Sequence, residues 1–253
     1  VTEELAAELF EAGLWGASVS IDYADPSKHD RARGMRGAFD QAVRALAAFS
    51  KARRHPWQRV NLMCVLLHNN LDQIEDLIKL AAEYDAYFTV QPYCDRKTGN
   101  ARFHCPEGGV GRRLLELRGK YPNFLSNPIF LGRFDRFFEE GIPGCRAGRA
   151  FFNIDSVGDV AICVEERSRP VANLYRHSAR QMVEALRTAG DGNSCMDCWY
   201  NCRGETESLY SPRSLIKSLP TYFFDRGCPP LNGAPGQAPE RRYRSADSVT
   251  RTP

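Results

Sequence analysis

Val60-Asn61-Leu62-Met63-Cys64-Val65-Leu66-Leu67 is a nearly unbroken apolar run with a helical pattern on either side of it. A run of this length reads as a buried strand of the kind found in parallel sheets, where helices cover the faces. Before it, Phe39, Val43, Leu46 and Phe49 recur on one helical face across residues 38–53; after it, Ile74, Leu77, Ile78 and Leu80 do the same. The pattern repeats outward. Thr2 is placed to cap a first helix ending at Gly13, and Asn69 or Asn70 to cap the helix after the apolar run. Ala17-Ser18-Val19-Ser20-Ile21 reads as a short strand stopped by Asp22 and a polar, Pro-containing run to Gly37. Tyr87-Phe88-Thr89-Val90 reads as a third strand. Residues 1–93 therefore alternate α and β three times, which calls for a parallel sheet with right-handed crossovers. Function in such folds gathers at the carboxyl ends of the strands, here Ser20-Ile21-Asp22, Leu67-His68-Asn69 and Gln91-Pro92-Tyr93. Three strands do not close a barrel and the chain opens on Val1, so a fragment of a larger protein is expected.

Beyond a polar loop spanning residues 94–105, residues 112–118 and 130–138 carry two amphipathic helical patterns, and Gly141-Ile142-Pro143-Gly144 marks a boundary. Residues 149–155 and 159–164 read as a hairpin about Ser156-Val157-Gly158, and residues 178–188 as a helix. From Pro229 the chain is rich in Pro, Gly, Arg and Ser and is expected to be disordered. Three units follow: 1–140, 141–228 and 229–253.

A net charge of +3 over 253 residues has no strong sign, so neither a nucleic-acid nor a membrane partner is implied. No stretch nears the roughly 20 apolar residues of a membrane span, and Val1-Thr2-Glu3-Glu4 opens no signal peptide. A soluble, cytoplasmic protein is expected. In that setting nine cysteines, an odd count, argue against a disulfide framework and for thiolate or metal chemistry.

Five of them have a pattern. Cys145 precedes the hairpin, Cys163 ends it, and Cys195, Cys198 and Cys202 follow the last helix as C-x2-C-x3-C. Thiolates two and three residues apart converge on one metal from a turn, and the hairpin pair closes the sphere from the other side. The plain alternative is that they are small buried hydrophobes; a polar turn has little use for three of those. Spacing alone leaves zinc and iron–sulfur both open. Cys94 and Cys105, far apart in a polar loop, suggest no compact metal site, and Cys228 is a stray or an extra ligand.

Two stretches resemble radical S-adenosylmethionine (SAM) enzymes that carry a C-terminal SPASM or twitch domain. Gly13-Leu14 with Val19-Ser20-Ile21-Asp22, then His29-Asp30, Arg33-Gly34 and Gly37-Ala38-Phe39, is similar to a stretch in the middle of that family's partial (β/α)6 barrel. Cys145-x12-Gly158-x4-Cys163, with Asn153-Ile154-Asp155 and Gly158-Asp159-Val160, resembles the opening of its SPASM signature. The fold class implied is α/β: the C-terminal part of a radical SAM barrel, then a small α+β SPASM- or twitch-like domain. Absent from these 253 residues are the family's C-x3-C-x2-C loop and its glycine-rich segment, without which this polypeptide cannot cleave SAM. Truncation explains this better than decay. The shortened C-x2-C-x3-C implies one auxiliary [4Fe–4S] cluster rather than two.

The resemblance implies that a second [4Fe–4S] cluster, outside this chain, splits SAM to a 5′-deoxyadenosyl radical that attacks a peptide or small-molecule substrate. An electron donor such as a flavodoxin or ferredoxin would serve it. Ser20, Asp22, Arg33 and Asn69 become candidate SAM contacts. Each has a plainer reading: turn chemistry for Ser20 and Asp22, capping for Asn69, and loop-holding through Asp22 or Asp30 for Arg33. His29 reads as a hydrogen-bonding residue, and Phe134, Phe137 and Phe138 as core or interface. The rival to the enzyme is a non-catalytic four-cysteine zinc or iron–sulfur module.

Overall fold

The computed structural model describes residues 1–94, 100, 103–106, 108–210, 212, 215 and 216. The tail expected to be disordered and Cys228 lie outside the described residues.

Thr2 caps α1 (Glu3–Glu11), its Oγ1 accepting the amide of Leu5 at 3.3 Å. Strand β1 (Gly16–Ser20) follows, then α2 (Pro26–Arg33) and α3 (Ala38–Ala52). Next come β2 (Arg59–Leu66), α4 (Ile74–Glu83) and β3 (Tyr87–Pro92). The three strands form a parallel sheet in the order β1-β2-β3, with Gly16 opposite Arg59 and Asn61 opposite Tyr87. Phe10 on α1 meets Phe49 on α3 edge to face at 5.9 Å, which seats α1 on the helix layer.

Two local readings need correction. The run at residues 60–67 is not buried on both faces: Val60, Leu62, Cys64 and Leu66 are fully buried under the helices, while Asn61, Met63 and Val65 face the other way, half-buried. Helices cover one face and leave the other to line an interior. The polar run after Asp22 is not irregular either, since α2 occupies it. Asp25 Oδ1 accepts the amides of Ser27 and Lys28, Pro26 fills the first turn, and Gly34 closes the helix in the left-handed region at φ 65°.

The sheet continues past β3. After α5 (Val110–Lys120) the chain returns beside β3, where Phe124 forms a parallel bridge to Phe88. The Phe88 amide donates to Asn123 and the Phe88 carbonyl accepts from Leu125. This is a fourth αβ step. The helical pattern expected at 130–138 is broken in two, α6 (Pro128–Leu131) and α7 (Phe134–Glu140), with Asn127 capping the first. Asp135 on α7 accepts the amides of Val110 and Gly111, so a carboxylate caps the positive end of α5.

The expected hairpin is present but short: β4 (Asn153–Ile154) and β5 (Asp159–Ala161) pair antiparallel. A third strand, β6 (Ala172–Asn173), joins them, and α8 (Ala179–Asp191) covers the sheet through a core of Val160, Ala172 and Leu186. Ser178 and Gln181 form a capping box at the start of α8. The chain then turns back. Trp199, just before α9 (Asn201–Glu207), is fully buried in the same core as Phe130, Phe134 and Ile142. Among the described residues no helix is long and apolar enough to cross a membrane.

Candidate functional site

Beyond the carboxyl end of β1 the chain is fixed by polar contacts. Asp22 is buried; its Oδ1 accepts the amide of Val65 at 2.9 Å and its Oδ2 pairs with Arg33 at 2.7 Å. Its carbonyl accepts Asn70 Nδ2 at 2.8 Å, and its amide donates to His29 Nδ1 at 3.2 Å. His29 is therefore neutral with its ring proton on Nε2, and burial holds its pKa below the ordinary histidine value. Asp30 accepts the amides of Gly37 and Phe39 and so anchors the start of α3. The His29-Asp30-Arg33 stretch thus holds the β1-to-α3 connection, and Arg33 takes Asp22 as its partner.

Asn70, not Asn69, is the buried anchor on the neighbouring strand. Its Oδ1 accepts the amide of Leu67 while its Nδ2 reaches Asp22 and Val65, so it ties the ends of β1 and β2 together. Neither asparagine side chain caps α4. Asn69 is exposed at the edge and accepts the hydroxyl of Tyr23 at 2.7 Å. Ser20 ends β1, half-buried. Of the four candidate SAM contacts, Asp22 and Arg33 are spent on each other, whereas Ser20 and Asn69 stand at the open edge.

The second group of residues is the thiols. None of the eight described cysteines is in a disulfide. Cys145 follows Gly144, Cys163 opens a short 3-10 turn after β5, and Cys195 and Cys198 lie in the turn before α9. Asn193 links two of these segments: its Oδ1 accepts the Cys195 amide at 3.1 Å and its Nδ2 donates to the Cys145 carbonyl at 3.5 Å. The Ile142 amide adds a bond to the Met196 carbonyl at 3.1 Å.

Burial raises the pKa of Cys163, Cys195 and Cys198, the last to about 12, and a negative charge on Cys145 opposes ionisation of each. The hydrogen bonds of Asn193 and of the Ile142 amide are what join the Cys145 segment to the cysteine turn. Backbone amides near the sulfurs, those of Glu165 and Glu166 for Cys163, Asp197 for Cys195 and Tyr200 for Cys198, work against the rise in pKa. Amide donors to sulfur are the arrangement that stabilises metal-bound thiolates and tunes iron–sulfur clusters. Four thiols are the donor set such a group takes. Among the described residues no three or more His, Cys, Asp or Glu side chains are placed together to hold a metal ion. Cys202 is exposed on α9.

A cavity of about 480 Å³ is lined by Tyr93, Phe103, His104, Phe137 and Phe138, together with Met196 and Asp197 from the cysteine turn. Cys94, for which no metal role was expected, stands where strand and turn meet: it is buried, and its Sγ donates to the Asp197 carbonyl at 3.2 Å. Cys105 Sγ donates to the Tyr93 carbonyl at 3.1 Å, and the rings of His68 and His104 stack 4.0 Å apart. Sequence reasoning also passed over Trp199, Asn193 and Arg203. Trp199 and Arg203 flank the cysteine turn directly, the one signal that pointed to them.

No family profile matches the chain. The chain is 28% identical to the mycofactocin maturase MftC of Mycolicibacterium smegmatis, over 95% of this chain and 64% of that protein. It is 29% identical to the mycofactocin maturase MftC of Mycobacterium tuberculosis, over 81% of this chain and 56% of that protein. A third relative, the AdoMet-dependent heme synthase of Methanosarcina barkeri, is 35% identical over 34% of this chain and 24% of its own length. The chain spans about three fifths of the length of the maturases it matches.

Proposed function

From the resemblance to radical SAM enzymes, which these relatives bear out, we propose that this chain forms the substrate-facing and auxiliary-cluster portion of a peptide-modifying radical SAM enzyme. The observation that carries the reading is the meeting of the sheet's carboxyl edge with the cysteine turn across one aromatic cavity. A maturase acts on a precursor, and a peptide segment is the substrate class this cavity suits. Its aromatic walls offer apolar packing, while Glu140 and Asp197 line it with groups that accept hydrogen bonds from amide or ammonium donors.

The chemistry that SAM and a second [4Fe–4S] cluster would supply, when bound, is hydrogen abstraction from the substrate by a 5′-deoxyadenosyl radical. This chain's part is to hold and orient. Ser20 and Asn69 offer hydrogen bonds to SAM at the carboxyl edge, and the Asp22–Arg33 pair keeps that edge in register. Cys145, Cys163, Cys195 and Cys198 are the ligands proposed for one auxiliary [4Fe–4S] cluster, with Cys202 outside that set. A flavodoxin- or ferredoxin-like donor is the proposed source of electrons.

The test is SAM cleavage by the anaerobically purified full-length protein under dithionite. The expected result is 5′-deoxyadenosine, formed faster when the precursor peptide is added. Absence of 5′-deoxyadenosine from a protein loaded with its clusters would overturn the reading.

A further inference from the structure

Arg203 is fully buried, and a guanidinium is an expensive group to bury. Its Nη1 donates to the Cys198 carbonyl at 2.9 Å, and its Nη2 to the carbonyls of Ile142 at 2.6 Å and Pro143 at 3.4 Å. Nε faces Glu207 Oε1 at 3.2 Å, and the guanidinium carbon lies 5.5 Å from the centre of the Trp199 ring. Glu207, one helical turn further along α9, also accepts the amide of Arg146, the residue after Cys145. The pair therefore touches both cysteine-bearing segments, with its positive end at the Cys198 turn.

Neutral donors would satisfy the same three carbonyls without burying a charge. What only a cation supplies there is its field, and in a poorly hydrated interior that field acts strongly on neighbouring sulfur. Iron–sulfur potentials depend on local charge, burial and hydrogen bonds to sulfur. On one-electron reduction a cluster gains a negative charge, which a neighbouring cation stabilises and a neighbouring anion disfavours.

We infer that the buried Arg203–Glu207 pair sets the reduction potential of the cluster held at the Cys195–Cys198 turn, an inference that rests on the cluster reading above. Arg203 is a positioning and charge-setting residue and touches no substrate.

The test is an EPR-monitored redox titration of the anaerobically purified protein with dithionite as reductant, the relevant signal being the one altered by Cys198→Ser. Arg203→Met is expected to lower the midpoint potential, with Arg203→Lys close to wild type. Glu207→Gln keeps the cation and removes its counter-charge, so it is expected to raise the potential, and it reports even where Arg203→Met does not fold. Unchanged potentials in Glu207→Gln and in any folded Arg203→Met would overturn the inference. A wild-type protein with no signal sensitive to Cys198 would instead overturn the cluster reading, which keeps the two failures apart.

Discussion

His29 illustrates how the carboxyl edge is secured by single contacts. Its Nδ1 accepts the amide of Asp22, a role open only to the neutral ring, and the ring packs against Phe39 at 6.0 Å. Burial disfavours the imidazolium; the charge of Asp22 works against that shift, and the charge of Arg33 works with it. Because the folded pKa lies below the ordinary 6.5, the unfolded chain takes up the proton first as pH falls. The stabilisation from His29 is thus complete above about pH 6.5 and declines as pH drops through the depressed value. The thermal midpoint is expected to fall between pH 7 and 5 in the wild type, and to fall less in His29→Asn. Equal slopes in the two proteins would contradict this role. The sequence made Arg33 a candidate for either a SAM carboxylate or a loop partner, because residue type cannot distinguish them. The 2.7 Å contact with the buried Asp22 is a relation across eleven positions that spacing does not specify.

At the scale of elements, the strands and long helices were legible because their burial is periodic: β2 buries alternate residues and α3 one face. Helix α2 escaped notice because only His29 on it is buried, so it has no apolar stripe. Its punctuation of Asp25, Pro26 and Gly34 was available and was outweighed by the polar composition. Strand β6 is two residues long, below what any alternation can reveal. Helix α9 was hidden for another reason. It is held by Gly204, where an added Cβ would lie 2.1 Å from Phe130 Cδ2, and by Glu205, which accepts the Asn127 amide at 2.9 Å. Gly204→Ala is expected to cost about 1–3 kcal/mol through overpacking. Its hydrogen exchange should quicken in α9 and the cysteine turn while the amides of β1 to β3 stay protected. Uniform exchange across the chain would contradict the local docking.

At the scale of the molecule, the cysteine turn belongs as much to the first core as to the small sheet. Trp199 donates its indole N–H to the Phe130 carbonyl at 2.9 Å, and Asn201 approaches Met63 on the inner face of β2. Met196 and Asp197 of that turn line one cavity with Tyr93 and Cys94, which follow β3. The five-cysteine pattern was visible in the sequence; its division into four proposed ligands and an exposed Cys202 was not, because exposure depends on where α9 docks. The account stands or falls on what those four thiols hold. Anaerobic purification with iron, sulfide and zinc analysis of the wild type and of Cys145→Ser, Cys163→Ser, Cys195→Ser, Cys198→Ser and Cys202→Ser measures this directly. The expected result is a brown protein that loses about four irons in each of the first four variants and none in Cys202→Ser. A colourless protein carrying one zinc, or iron content indifferent to those four cysteines, would contradict it.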